Sequence, residues 1–176
     1  LLEQGALRLD WACYETERQR AVLTAIGAYQ LEEVLKASTR LKERQLPHSV
    51  VYMMEPGRFR TPRSEGEKVC VVPAHLRAEL YPNSTPARLF VTHTRPEPLL
   101  GTLQPLNTGS DLTAALGFIN QGGTLNVPGM LFVNRCTWVH ILLEVARVLG
   151  MLQEELLTSE EVAALSGKAS PEGVIF

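Results

Sequence analysis

Apolar residues follow two patterns along this chain, short uninterrupted runs and a longer helical repeat. Uninterrupted apolar runs are typical of strands that are buried on both faces of a parallel sheet. Four such runs occur, at 21–27, 49–54, 68–72 and 88–93, and the first, second and fourth are interpreted as strands. Between the first two, apolar residues recur at helical spacing from Leu31 to Leu41, and charged residues occupy the opposite face. A strand, a helix and a second strand joined by short connections predict a right-handed parallel βαβ unit.

Weaker patterns extend the predicted sheet to about five strands. Residues 6–13 alternate weakly and residues 114–118 are mostly apolar, so each segment predicts one further strand. Pro73 predicts the start of a helix, because proline is favoured at the first helical position. Ser159 is expected to cap a last short helix, whose first turn carries two acidic residues.

Two pairs of residues predict breaks in regular structure. Pro96 and Pro98 are expected to end any regular element after the strand at 88–93, and Pro128 with Gly129 is expected to break the chain again. A helical repeat then begins near Arg135, and its main apolar face is formed by Trp138, Ile141, Leu142, Val145 and Leu149. Further apolar residues lie off that face. A helix of this kind is expected to be deeply buried or covered by a partner.

These elements predict a three-layer α/β sandwich, in which helices cover both faces of a mostly parallel sheet of about five strands. No repeat or internal boundary divides the chain, so residues 1–176 are interpreted as a single domain. Residues 1–20 are interpreted as a linker or edge element, and residues 151–176 as a C-terminal extension.

The composition of the chain argues against several classes of function. The chain has 176 residues, of which 45% are hydrophobic and 20% charged, and its formal net charge is -2. This balance is typical of a globular domain and argues against nucleic acid as the main partner. No apolar run is long enough to cross a membrane, and no signal peptide or zinc-type cysteine spacing occurs. We therefore expect a cytoplasmic protein with free thiols, and the absence of an initiator Met leads us to expect a piece of a longer polypeptide.

The best candidate for chemistry is His93, with Thr94 and Arg95 beside it. His93 ends a predicted strand, and ligands of open α/β sheets gather at the carboxyl ends of strands. The three side chains therefore form a candidate anion-binding site. The other interpretation, a histidine that serves only the structure, stays open.

Two loops offer weaker candidates. The turn at 120–126 presents backbone N–H groups around Gly122, Gly123 and Thr124, which can form an anion-binding nest or simply a tight turn. The loop at 55–66 carries three arginines, Arg58, Arg60 and Arg63, which either hold an anion or face solvent.

The last long helix carries a polar stripe. His140, Glu144 and Arg147 recur at spacings of four and three, which is typical of a solvated face or the rim of an interface. We interpret Trp138, His140, Leu143 and Arg147 as interface residues. No metal-binding motif and no catalytic constellation is recognised, so neither metal ligands nor catalytic residues are assigned.

The order of elements from residue 21 onward resembles the C-terminal domain of transketolase-like enzymes, and it resembles phosphoketolases more closely. The segment at 21–41 is similar to the opening strand and helix, 48–59 to the second strand and its loop, and 88–101 to the strand and histidine-containing loop that follow. The segment at 116–150 is similar to the final pattern of the phosphoketolase domain, at Gly117, Phe118, Gly122, Thr124, Pro128, Met130, Asn134, Arg135 or Trp138, and His140.

The resemblance covers roughly residues 18–150 and implies thiamine diphosphate chemistry. Phosphoketolases are lyases that cleave xylulose 5-phosphate or fructose 6-phosphate with inorganic phosphate, giving acetyl phosphate and an aldose phosphate. Their cofactor and Mg²⁺ lie in two larger domains that precede this one, and the Gly-Asp-Gly signature of that site is absent here. The resemblance therefore implies that this segment binds no cofactor and is inactive alone.

The expected role is architectural. The segment would pack against the preceding catalytic domains of the same polypeptide, contribute to a homodimer, and place His93 or Arg95 at the rim of a substrate channel. Three alternatives stay open: the same domain of another transketolase-like enzyme, a free-standing binding or regulatory module, and a small enzyme that uses His93 and Arg95 on an anionic substrate.

Overall fold

A computed structural model describes residues 4–16, 18–119 and 123–176. Within these ranges, five strands form one sheet in the order β1-β3-β2-β4-β5. The strands are β1 (Ala6–Arg8), β2 (Ala21–Ile26), β3 (His48–Met53), β4 (Ala87–Thr92) and β5 (Thr113–Leu116). Only β1, at one edge, runs antiparallel to its neighbour; the other three pairings are parallel. The predicted mostly parallel sheet is confirmed.

The helices of the described residues connect and cover the strands. They are α1 (Ala28–Glu43), α2 (Ala74–Leu80), α3 (Pro96–Thr102), α4 (Val127–Val133), α5 (Trp138–Leu149) and α6 (Ser159–Leu165). Short 3-10 turns lie at Asp10–Ala12, Pro56–Phe59, Glu65–Cys70, Gln104–Leu106 and Gln153–Glu155. None of the helices in these ranges has the length and apolar character needed to traverse a lipid bilayer.

The sheet separates two apolar clusters, because successive side chains of a strand point to opposite faces. In β2, Leu23 faces the larger cluster with α1 and α5, whereas Val22 faces the smaller one. The smaller cluster includes Phe59, Tyr81 and leucines of α3 and the turn that follows it. Tyr81 is fully buried, and its hydroxyl lies 3.0 Å from the hydroxyl of Thr24 in β2. The three-layer α/β sandwich is therefore confirmed.

Helix α5 is buried by this chain itself. Its buried residues include Val139, Ile141, Leu142 and Val145, each with no exposed surface. They pack against α1, β4 and β5. Of the two outcomes that the apolar pattern predicts for this helix, burial within the domain is the one observed. Gly150 ends the helix in the left-handed conformation that glycine adopts at low cost (φ 64°).

Two predicted breaks are wrong, because proline fits the first turn of a helix. Pro96 and Pro98 do not end regular structure: Pro96 begins α3. Pro128 and Gly129 likewise lie in the first turn of α4, whose N-cap Asn126 accepts a hydrogen bond from the N–H of Gly129 at 2.9 Å.

The cap predicted for the last short helix is one residue away. Ser159 is the first residue of α6, and Thr158 is its N-cap. Thr158 and Glu161 form a capping box, in which the Thr158 hydroxyl accepts from the N–H of Glu161 and the Glu161 carboxylate accepts from the N–H of Thr158. Pro73, similarly, is the N-cap of α2 and precedes its first helical residue.

The segment after residue 150 packs on the rest of the domain. Leu156, Leu157 and Ile175 are buried in the larger apolar cluster. Arg40 of α1 makes two hydrogen bonds to the carboxylate of Glu161, at 2.9 and 3.0 Å. These contacts attach the C-terminal segment to α1.

Candidate functional site

The chain reverses its direction of winding across the sheet between β2 and β4. From β2 it passes through α1 to β3 on one side, and β4 then pairs with β2 on the other side. The loops that leave the carboxyl ends of β2 and β4 therefore diverge. In open α/β sheets, the crevice at such a switch point is where ligands bind.

Gly27 leaves β2 at this crevice with φ 114° and ψ 156°, a conformation that is essentially restricted to glycine. A Cβ at this position would lie 2.4 Å from Gln30 Oε1 and 2.9 Å from His93 Nδ1. The absence of a side chain therefore lets the side chains of Gln30 and His93 close over the start of α1.

The switch-point cavity has a volume of about 190 Å³. It is lined by Gln30, Thr92, His93, Phe118, Met130, Leu131, Asn134 and Cys136. Gln30 belongs to α1, and Phe118 follows β5. Thr92 ends β4 and His93 follows it. The other four lining residues lie in α4 or shortly after it. The cavity is therefore lined by side chains from four parts of the fold.

His93 lies at the predicted position, directly after β4, and its side chain is exposed. Its Nδ1 lies 3.0 Å from the carbonyl oxygen of Ile26 and donates to it. In the neutral imidazole this leaves Nε2 as a hydrogen-bond acceptor. The histidine therefore both joins the ends of β2 and β4 and lines the cavity.

Thr94 shapes the loop beside the cavity. The Thr94 N–H donates to the Thr92 hydroxyl at 3.1 Å, and the Thr94 carbonyl accepts from the N–H of Phe118 at 2.9 Å. A Cβ at Gly117 would lie 2.3 Å from that carbonyl oxygen, so the close approach of the two loops requires glycine. This contact holds Phe118 at the cavity wall.

The other predicted anion-binding residues do not line the cavity. Arg95 is exposed and precedes α3 as its N-cap. Gly123 and Thr124 are exposed, and Gly122 lies outside the described residues. The structure thus places His93 in the lining and Thr94 in the loop beside it, whereas Arg95, Gly123 and Thr124 do not belong to the lining.

The cavity offers hydrogen-bonding groups more than reactive ones. Burial, with a smaller contribution from the negative charge of Glu33, raises the pKa of the Cys136 thiol to about 12. The thiol is therefore protonated at neutral pH and is a poor nucleophile. It donates to the carbonyl of Asn134 at 3.3 Å. The arrangement is suited to binding.

The predicted interface residues occupy different environments on α5. His140 is buried, and its Nδ1 lies 2.7 Å from the Thr137 hydroxyl. Burial, assisted by the positive charge of Arg135, lowers the pKa of His140 to about 4. Leu143 is half-buried, and the exposed Arg147 forms an ion pair with Glu144 at 2.7 Å.

Trp138 is covered in part by this chain. Its indole N–H donates to the carbonyl of Ile175 at 3.1 Å, and the guanidinium of Arg40 lies 5.1 Å from the centre of its ring. The backbone N–H of Trp138 donates to the buried carboxylate of Glu33 at 2.8 Å. That Trp138, His140, Leu143 and Arg147 contact another domain stays a prediction.

The arginine-rich loop carries its own counter-charges. Glu67 pairs with Arg60 at 3.1 Å and with Arg63 at 2.6 Å, and Arg58 lies 3.9 Å from Glu55. The hydrogen bonds from Arg63 are the main reason that the pKa of Glu67 falls to about 2. Glu67 therefore already pairs with Arg60 and Arg63, two of the three guanidinium groups that an anion would need.

Sequence reasoning missed the residues that set the shape of the cavity. The burial of Gln30 was not predicted, because a glutamine in a charged helix is typical of a solvated face, yet the residue is only 6% exposed. A signal was present in Gly27, where a strand that ends in glycine leads directly into a helix. Among the described residues, no group of three acidic, histidine or cysteine side chains is arranged to hold a metal ion.

The fold is similar to part of two solved transketolases. The structure from Campylobacter jejuni subsp. jejuni NCTC 11168 superposes with a TM-score of 0.56 at 14% identity, over 85% of this chain and 19% of that one. Transketolase from Leishmania mexicana superposes with a TM-score of 0.53 at 16% identity, over 88% of this chain and 19% of that one.

The chain spans about a fifth of the length of these transketolases. At such low identity the likeness shows the fold, and the predicted fold of a transketolase C-terminal domain is confirmed. No protein-family model matches the sequence, and no curated protein matches it.

Proposed function

We propose that this chain is the C-terminal domain of a phosphoketolase-like enzyme. The enzyme would cleave xylulose 5-phosphate or fructose 6-phosphate with inorganic phosphate, giving acetyl phosphate and an aldose phosphate. The extent of the structural match supports the coarser part of this proposal, a domain of a larger transketolase-like enzyme: nearly the whole chain superposes, yet on only 19% of a transketolase. A fold of this kind recurs there as one part of a larger enzyme.

The proposed role of the chain within that enzyme is architectural. Thiamine diphosphate and Mg²⁺ would be held by the preceding domains of the same polypeptide, and this domain would pack against them in a homo-oligomer. Its three-layer core and the attachment of its C-terminal segment to α1 through Arg40 and Glu161 suit such a role. The edge of the sheet that carries His93 and Thr94 is the proposed rim of the substrate channel.

Activity assays of the complete polypeptide test this proposal. With thiamine diphosphate, Mg²⁺, xylulose 5-phosphate and inorganic phosphate, we expect phosphate-dependent formation of acetyl phosphate. Transfer of a two-carbon unit to an aldose phosphate, with no acetyl phosphate formed, would identify a transketolase instead. That alternative is favoured by the names of the two structural neighbours.

The isolated chain provides a second test. We expect isothermal titration calorimetry to detect no binding of thiamine diphosphate with Mg²⁺ to residues 1–176, whereas the complete polypeptide binds it. Micromolar affinity of the isolated chain for the cofactor would overturn the division of labour between this domain and the preceding ones.

A further inference from the structure

A second cavity lies beside the amino ends of β2 and β4, and we call it the amino-end cavity. Its volume is about 430 Å³. It is lined by Arg18, Gln19, Arg20, Ser84, Pro86 and Leu149. The first three precede β2, Ser84 and Pro86 precede β4, and Leu149 ends α5. Because β2 and β4 are parallel neighbours in the sheet, the loops that precede them meet here, at the other end of the strands from the switch point.

Two arginines of the amino-end cavity have no counter-charge. Arg18 and Arg20 are exposed, and their side chains make no ion pair or hydrogen bond with any residue that the structure describes. No carboxylate belongs to the lining of the cavity. The arginine-rich loop at 58–63 differs in this respect, because glutamates pair with its arginines. Two guanidinium groups without carboxylates favour an anion that accepts several hydrogen bonds, as a phosphate group does.

The backbone on both sides of Arg18 is held against the start of β3. Tyr14 and His48 exchange backbone hydrogen bonds, each of 2.9 Å. The N–H of Arg20 donates to the carbonyl of Pro47 at 3.1 Å. These bonds restrict the backbone from which the two arginine side chains extend. The entropic cost of bringing both guanidinium groups to one ligand is therefore reduced.

Gln19 adds a hydrogen-bond acceptor that the described residues leave without a partner. Its amide nitrogen donates to the carbonyl of Tyr14 at 3.4 Å, which orients the amide. Its Oε1 is buried and accepts no hydrogen bond from the residues that the structure describes. A buried acceptor without a partner destabilises a fold, so its presence beside the two arginines favours a ligand that brings a donor, such as a hydroxyl group.

We propose that the amino-end cavity binds a small phosphomonoester that carries hydroxyl groups. The phosphate accepts hydrogen bonds from the guanidinium groups of Arg18 and Arg20, and a hydroxyl group donates to Gln19 Oε1. The cavity volume corresponds to roughly 14 water molecules at about 30 Å³ each, which is room for a compound of about ten non-hydrogen atoms. The site uses this chain alone, so it does not depend on the proposed phosphoketolase activity.

Isothermal titration calorimetry of residues 1–176 with glycerol 2-phosphate tests the proposal. Isopropyl phosphate has the same shape and charge without the hydroxyl groups, and glycerol lacks the phosphate. We expect saturable binding of glycerol 2-phosphate, binding of isopropyl phosphate weaker by about threefold or more, and no detectable binding of glycerol. Added salt should weaken the binding of both phosphates, because it screens the arginines. No saturable binding of glycerol 2-phosphate would overturn the proposal, and equal affinity for the two phosphates would refute the hydroxyl contact.

Substitutions provide the matched test. The double variant Arg18→Gln with Arg20→Gln should bind glycerol 2-phosphate at least about tenfold more weakly. Arg77→Gln is the control, because Arg77 of α2 also makes no ion pair with a described residue but does not line the cavity. Gln19→Leu removes the amide and should abolish the preference for glycerol 2-phosphate over isopropyl phosphate. Unchanged affinity in the double arginine variant, or an equal loss in Arg77→Gln, would refute the site.

Melting temperatures separate this role from a structural one. Leu149 brings the carboxyl end of α5 to the cavity, and the partial negative charge of a helix end is also stabilised by arginine. We expect the double arginine variant to melt as the unsubstituted chain does without ligand, and to lose the rise in melting temperature that glycerol 2-phosphate causes. A lower melting temperature without ligand, together with an unchanged rise on adding glycerol 2-phosphate, would show that the arginines serve α5 and would contradict the proposal.

Discussion

Replacement of Gly27 by alanine should destabilise the domain at the point where β2 meets α1. Gly27 adopts φ 114° and ψ 156°, where a residue with a Cβ is strained by about 1–3 kcal/mol. The new Cβ would also lie 2.4 Å from Gln30 Oε1 and 2.9 Å from His93 Nδ1, so both side chains must move. Crowding of this kind typically costs about 1–3 kcal/mol. Gly27→Ala should therefore lower the free energy of unfolding by roughly 2–6 kcal/mol.

Urea unfolding followed by circular dichroism measures this loss, and a second substitution divides it into its two parts. In a Gln30→Ala background the contact at 2.4 Å is removed while the backbone strain stays. The contact with His93 Nδ1 at 2.9 Å also stays, so Gly27→Ala should then cost less than in the unsubstituted chain, but still at least about 1–3 kcal/mol from the strain. The difference between the two backgrounds is the interaction between the new Cβ and Gln30.

Gly101→Ala is the control for this experiment. Gly101 lies inside α3, and a Cβ there would meet nothing within 4 Å. Alanine should stabilise this helix by roughly 0.5–1 kcal/mol. If Gly27→Ala proves as harmless as Gly101→Ala, then the strained backbone and the crowding at the switch point are both wrong.

Three further predictions concern the core and its buried charges. Leu142→Ala in α5 should cost about 2–5 kcal/mol in urea unfolding, because Leu142 is fully buried; a cost below 1 kcal/mol would contradict that burial. Burial opposes ionisation of Glu161, but hydrogen bonds from Arg40 and Thr158 outweigh it and hold its pKa below 4.5. Glu161→Gln should therefore cost about 1–3 kcal/mol at pH 7 and progressively less as the pH falls below 4.5; an equal cost at pH 3 would contradict the ion pair. The pKa of His140 is lowered to about 4, so the unfolded chain binds a proton between pH 6.5 and 4 that the folded chain excludes. Stability should therefore fall as the pH is lowered from 6.5 to 4. His140→Leu should flatten the slope of unfolding free energy against pH, and an unchanged slope would contradict the buried neutral histidine.

The layers of the fold could be predicted because burial leaves a direct mark on the sequence. The apolar runs at 21–27, 49–54 and 88–93 each proved to be a strand buried in the sheet. Helix boundaries were harder to predict, since proline both ends and begins helices. Pro96 and Pro128 illustrate this, because each lies at the start of a helix where a break was expected.

The candidate site was only half predictable. His93 could be placed because it directly follows an apolar run, and the carboxyl end of a parallel strand is where ligands bind. Gln30 could not, because the sequence does not show that residues following β4 and β5 line the same cavity as α1. Arg95 carries the right charge for an anion site, but α3 begins directly after it and it lies outside the cavity lining. Arg95 is only two residues from His93 in the sequence, yet only His93 lines the cavity.

The most direct test of the proposed function is the length of the polypeptide to which this sequence belongs. The open reading frame, or the mass of the intact protein from the source cells, supplies that measurement. We predict a polypeptide roughly five times as long as this chain, with a diphosphate-binding region upstream, since the chain matches about a fifth of a transketolase. A mature protein of only 176 residues would contradict the proposal and favour a free-standing binding module.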